Sequence, residues 1–183
     1  MPAATGIENS RLSAKRRRAS SVQRRECVVV CIGNPLMGDD GFGIEVAKVL
    51  GKLNLGRRVL VFERQTMDIS ILDSAKGASK LVIVDTVKSG RPPGSVVKFI
   101  AGEPRSPVLR VPLSHEQSLH DILALARKSG IRLPLTVVVG VEPGDCTVGK
   151  GLSAEVKEAL PRALEEVRYE VRKCAGRGKG EPG

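Results

Sequence analysis

From Glu26 onward, short β-branched apolar runs alternate with segments whose apolar residues recur at helical spacing, a pattern that predicts strand and helix in turn. Cys27-Val-Val-Val-Cys-Ile32, closed by Gly33, has the composition of a strand buried on both faces. The segment Gly33–Gly43 is rich in residues that permit positive φ or fix a turn, and Ile44, Ala47, Leu50 and Leu53 then fall on one helical face. An apolar strand over 58–62, a short helix that Asp68 can cap, and the strand Lys80–Asp85 continue the alternation. After Pro92-Pro-Gly94 the run Ser95–Ile100 reads as a strand, and the short turn-rich link before it favours an antiparallel partner. Ser114 with Gln117 forms a capping box ahead of a helix carrying Leu119, Ile122, Leu123 and Ala126 on one side. The strand Leu135–Gly140 precedes a final helix with Ser153 as its cap and Val156, Leu160, Leu164, Val167 and Val171 as its apolar stripe. Pro161 is expected to kink that helix.

Strands separated by helices imply an α/β fold, a three-layer α/β/α sandwich around a mostly parallel central sheet. In such folds ligands gather outside the carboxyl ends of the strands. The length suits a single domain spanning residues 26–171, with residues 1–25 as a basic extension and 172–183 as a basic C-terminal tail. The Ser- and Arg-rich residues 1–25 lack apolar periodicity and read as a disordered extension or an upstream start, not as part of the fold.

Composition sharpens this picture in two ways. Apolar residues make up 41% but aromatics only 2%, so the core has to be built from Val, Leu, Ile and Ala. The net charge of +10 sits mostly in the tails, which carry six and three of the ten excess charges, leaving the body close to neutral. A body without a basic face, with no Trp and one Tyr, lacks what nucleic-acid recognition needs. No apolar run approaches the ~20 residues of a membrane span and no secretory signal is evident, so a cytoplasmic protein is expected. Cys27, Cys31, Cys146 and Cys174 include no CxxC pair, which removes the zinc-knuckle and thioredoxin-like readings. Cys27 and Cys31 are expected as buried thiols.

The glycine loop lacks the Lys-Ser/Thr of a phosphate-binding P-loop and has Asn34-Pro35 where a dinucleotide fold wants glycine. Asp39 and Asp40 near a helix start would repel a phosphate, so the loop suits a cation or a polarised water. One of these two aspartates can serve as a helix cap, leaving the other free to face the crevice. Asp85 ends an apolar strand, where a carboxylate is costly unless paired, solvated or metal-bound, although it can also close the strand as an Asx turn. The two histidines, His115 and His120, lie five apart; His115 at a loop-to-helix junction suits a ligand role, whereas His120 beside Leu119 reads as a surface residue. Two carboxylates and one imidazole, from Asp40, Asp85 and His115, would leave open positions on a divalent ion such as Ni or Zn. No Ser or Cys lies in a recognisable nucleophile motif.

In sequence order, Gly33-Asn-Pro-Leu36, Asp39-Asp-Gly-Phe-Gly43, a strand ending in Asp85, Ser114-His115, Gly140-Val-Glu-Pro143 and Gly151-Leu-Ser153 resemble the hydrogenase maturation endopeptidases. The resemblance runs from about Cys27 to Val171 and includes neither tail. It implies an α/β/α sandwich that cleaves the C-terminal extension from a nickel-iron hydrogenase large-subunit precursor. It also implies that Asp40, Asp85 and His115 form the catalytic, metal-contacting triad, with Asp40 standing where some members carry Glu. The nickel is then supplied by the substrate, no organic cofactor is called for, and the expected partner is that precursor, with neither nucleic acid nor membrane. Two competing readings are a non-catalytic nickel metallochaperone and a small-ligand binder using the glycine loop; the scarcity of His and Cys opposes the first and the acidic loop the second. The basic tails can either dock on an acidic precursor by long-range attraction or remain solvated ends.

Overall fold

A computed structural model describes residues 26–102 and 119–175. Its strands are β1 (Cys27–Ile32), β2 (Val59–Arg64), β3 (Lys80–Thr86), β4 (Val96–Ile100) and β5 (Leu135–Val141). Its helices are α1 (Phe42–Leu50), α2 (Ser70–Ser74), α3 (Leu119–Lys128) and α4 (Ala154–Ala175). The strands form one sheet in the order β2-β1-β3-β5-β4, parallel throughout except for β4, which runs antiparallel to β5. The α/β/α sandwich and the antiparallel Ser95–Ile100 strand are therefore as expected.

The strands are two-sided, which is why β1 and β3 read as continuous apolar runs. Cys27, Val29 and Cys31 join Val82 and Val84 in a core beneath α1 and α4, while Val28, Val30, Leu81 and Ile83 join a second core beneath α2 and α3. Cys27 and Cys31 are buried thiols. Burial, together with the nearby Glu63, pushes the Cys31 thiol up to about 12. Asp68 accepts from the Ser70 amide at 2.8 Å and caps α2, and Ser153 Oγ accepts from the Val156 amide at 3.3 Å and caps α4.

Two expectations need correction. The helix after the glycine loop ends at Leu50, and Leu53 is 38% exposed instead of continuing the buried face. In α4 the fully buried stripe runs through Val156, Ala159, Ala163, Val167 and Val171, whereas Leu160 and Leu164 pack at its margin. The small alanines let the helix sit close to the sheet, so the larger leucines are turned to the flank. α4 continues through Pro161 and reaches Ala175, placing Cys174 in the core. The capping box at Ser114 and Gln117, the extension at 1–25 and, of the tail at 172–183, residues 176–183 lie outside the described residues, while residues 172–175 belong to α4.

Chain direction in the sheet reverses between β1 and β3: the chain passes from β1 outward to β2, then returns to the other side of β1. In folds of this kind the switch point, here at the carboxyl ends of β1 and β3, is where ligands bind. The first turn of α1 lies directly against the end of β1, because a Cβ placed on Gly43 would fall 2.0 Å from the Ile32 carbonyl oxygen. Substituting Gly43→Ala is expected to lower stability by about 2 kcal/mol or more, since only backbone atoms surround that position and none can yield cheaply; urea denaturation of wild type and variant checks this.

Candidate active site

Three loops meet at the carboxyl edge of the sheet: residues 33–41 after β1, 87–95 after β3 and 142–153 after β5. The first begins as a tight turn in which Leu36 N–H donates to Asn34 Oδ1 (3.0 Å) and Met37 N–H donates to Asn34 O (3.0 Å). It then enters a 3-10 turn, Gly38–Gly41, which packs against β3. Gly38 has φ +55°, and a Cβ there would meet the Asp145 carbonyl oxygen at 2.3 Å, so the first and third loops touch backbone to backbone.

Neither Asp39 nor Asp40 caps a helix, contrary to the capping role that their position suggested. Asp39 is fully buried, and its carboxylate accepts from Gly144 N–H (2.8 Å), Asp145 N–H (2.8 Å), Ser153 N–H (2.6 Å) and Ser153 Oγ–H (3.0 Å). Four donors from the third loop and the start of α4 thus satisfy one buried charge. Buried and engaged by these donors, Asp39 ties the first loop to the third.

Asp40 is half-buried, and its Oδ2 accepts from Asn34 N–H at 2.9 Å, closing the glycine loop on itself. Its backbone carbonyl lies over Gly33, where a Cβ would come within 2.0 Å of it. Asp85 is buried, the penultimate residue of β3, and its Oδ1 accepts from Thr86 N–H at 2.7 Å. In register, Val84 pairs with Cys31 and Asp85 with Gly140, so Asp85 stands one step beyond the Cys31 row, level with the end of β1 from which the Asp40 loop departs. The structure therefore brings Asp40 and Asp85 to neighbouring strand ends at the switch point. His115 lies outside the described residues; His120 belongs to α3, with its side chain also outside them. Among the described residues no group of three or more His, Cys, Asp or Glu side chains forms a metal cage.

Two features of the site were not assigned from the sequence. Glu142 is buried and binds the second loop, accepting from Ser89 N–H (2.7 Å), Ser89 Oγ–H (2.7 Å), Gly90 N–H (3.3 Å) and Arg91 N–H (3.4 Å). Burial pushes its carboxyl up, but the bonds from Ser89, Arg91 and Gly90 outweigh burial and hold it below the usual glutamate range. Its signal was an acid within an apolar strand end, Gly140-Val-Glu142, of the same kind that singled out Asp85. Cys146 is half-buried beside the glycine loop; burial, then the charges of Asp40 and Asp39, raise its thiol, against the smaller opposing pull of Lys88. A raised thiol offers less of the thiolate, which is the nucleophilic form. Asp145 orders the third loop by accepting from Thr147 N–H and from Lys150 Nζ, both of which help lower its carboxyl to about 2.

A family model described as hydrogenase maturation protease matches residues 44–170. The hydrogenase expression/formation protein HupD of Thiocapsa roseopersicina is 29% identical over 76% of this chain, which spans 65% of that protein's length. Among solved structures, the hydrogenase maturating endopeptidase HybD from E. coli superposes with a TM-score of 0.71 at 24% identity, covering 81% of this chain and 93% of that one. The hydrogenase 2 maturation peptidase from a Thaumarchaeota archaeon gives a TM-score of 0.60 at 30% identity, covering 80% and 97%.

Removing the Asp39 carboxylate leaves several buried N–H groups unpaired, whereas removing that of Asp40 frees one. Asp39→Ala is expected to lose at least about 3 kcal/mol of stability and Asp40→Ala less than about 1.5 kcal/mol, measured by urea denaturation. Because the Glu142 carboxyl is depressed in the folded state, its contribution is present above the ordinary value of 4.5 and is lost as pH falls through the lower folded value. The stability gap between wild type and Glu142→Gln, read as urea midpoints, is accordingly expected to narrow between pH 6 and pH 3.

Proposed function

The chain belongs to the hydrogenase maturation protease family, and from that premise we propose that it is the endopeptidase that removes the C-terminal extension of a nickel-iron hydrogenase large-subunit precursor after nickel insertion. The observation that carries this reading is the placement of Asp40 and Asp85 at adjacent strand ends while Asp39, the other acid of the loop, is fully engaged in structure. Nickel enters as part of the substrate. Asp40, Asp85 and His115 contact it through carboxylate and imidazole donors, a set whose chemistry suits nickel. Few ligands from the enzyme leave room for those of the precursor, so that only a loaded large subunit completes the coordination.

Cleavage uses water, since no serine or cysteine lies in a recognisable nucleophile motif. Activating that water is work for a carboxylate or for the metal, and polarising the scissile carbonyl is work for the metal. The reaction takes place in the cytoplasm. No helix among the described residues is long and apolar enough to cross a membrane, which fits this placement.

The purified chain is expected to shorten a nickel-loaded precursor at its C-terminus and to leave the nickel-free form intact, as read by mass spectrometry. Failure on a validated cognate loaded precursor would favour metallochaperone or small-ligand binding instead. Asp40→Ala, Asp85→Ala and His115→Ala are each expected to lower processing by at least about a hundredfold; full activity in any one of them removes that residue from the triad.

A further inference from the structure

Large apolar side chains that a fold leaves in water call for an explanation when they are held rigidly together. Leu36 and Val148, each 68% exposed, are the most exposed of the large hydrophobic residues described, and neither belongs to a core cluster. They stand on the first and third carboxyl-edge loops, which are joined where Gly149 N–H donates to the Leu36 carbonyl at 2.9 Å. Both loops are internally braced. Leu36 N–H is held by Asn34 Oδ1, and the turn that carries Val148 is held by Thr147 N–H to Asp145 Oδ1 and by the Lys150–Asp145 ion pair.

Asn34 also links this pair to the candidate catalytic group. Its side chain fixes Leu36 while its own N–H donates to Asp40 Oδ2. A polypeptide seated on Leu36 therefore lies two residues from the one that bonds Asp40, within the same braced turn.

We propose that Leu36 and Val148 are specificity-determining residues, forming an apolar rim that seats an apolar side chain of the precursor polypeptide beside Asp40. This inference rests on the protease reading and names the part of the substrate surface that the site grips. The occupant is the substrate and not a second copy of the chain. Two side chains cover far less than the ~800 Å² per partner of a stable interface, whereas a small preorganised anchor is what an extended segment needs next to reacting groups. An anchor made equally in ground and transition states acts on KM and leaves kcat alone.

The test compares wild type with the double variant Leu36→Ser/Val148→Ser on a nickel-loaded large-subunit precursor, reading kcat and KM for C-terminal trimming. Affinity for the same precursor is measured separately by calorimetry, and a thermal melt controls for folding. The variant is expected to melt as wild type does, to raise KM and weaken affinity at least about tenfold, and to keep kcat within about twofold. The pair Leu36→Met/Val148→Ile is expected to restore KM. Unchanged KM and affinity in the serine variant alongside an active wild type would overturn the rim, as would a loss confined to kcat. Loss of a wild-type dimer with KM unchanged would overturn it in favour of self-association. A wild-type chain that binds the precursor through this pair yet never cuts it would overturn the protease reading and leave the rim standing.

Discussion

The arrangement of the site depends on one buried charge. Asp39 is withdrawn entirely from water, a position that costs several kcal/mol unless its oxygens are satisfied, and the donors that satisfy it come from Gly144, Asp145 and Ser153. Such a carboxylate cannot be left half-paired, so the loop after β5 and the start of α4 are obliged to close on the loop after β1. Its backbone takes part as well, with Asp39 N–H donating to the Asp145 carbonyl at 2.8 Å. The rigidity of the glycine loop is thus a consequence of tertiary closure more than of its own turn residues.

Glu142 repeats the device one loop further along, gathering the 89–91 turn onto the end of β5. Between them, Asp39 and Glu142 make the segment after β5 the hub to which the other two carboxyl-edge loops are fixed. The acids at this edge therefore divide into two groups. Asp39 and Glu142 are held by backbone and hydroxyl donors and act as staples, while Asp40 accepts from the Asn34 N–H of its own loop and Asp85 from the N–H of Thr86 at the end of β3. Loops stapled in this way are held in one arrangement by their own hydrogen bonds.

The sheet order adds the location. Because β1 lies between β2 and β3, the loops leaving β1 and β3 start on either side of the topological switch point, the place where folds of this kind bind ligands. The same edge presents Leu36 and Val148 to solvent. The opposite end of the sheet is occupied by a different kind of interaction, the buried Lys80–Glu170 pair at 2.7 Å that fastens the beginning of β3 to α4. Charge is buried at both ends of the sheet, as a cation–anion pair at one and as carboxylates among amides at the other.

Sequence periodicity alone determined most of the scaffold. The β-branched runs at Cys27–Ile32 and Lys80–Asp85, the caps at Asp68 and Ser153, and the apolar face Leu119, Ile122, Leu123 and Ala126 are local patterns, and local patterns are set by residues within a few positions of one another. Asp40 and Asp85 stood out as candidates for a related reason, since a carboxylate at a strand end or in a glycine loop is conspicuous in its own neighbourhood. Tertiary structure decided what each acid does. Asp39 and Asp40 are adjacent and chemically identical, and only the arrival of Gly144 and Ser153, more than a hundred residues away, turns the first into a staple while the second bonds within its own loop. Likewise, whether Leu160 or Ala159 of the last helix is buried depends on how closely α4 approaches the sheet, a distance that no helical period encodes. Hydrogen-bond saturation and packing distance are properties of the assembled chain, and they become readable only once its distant segments have met.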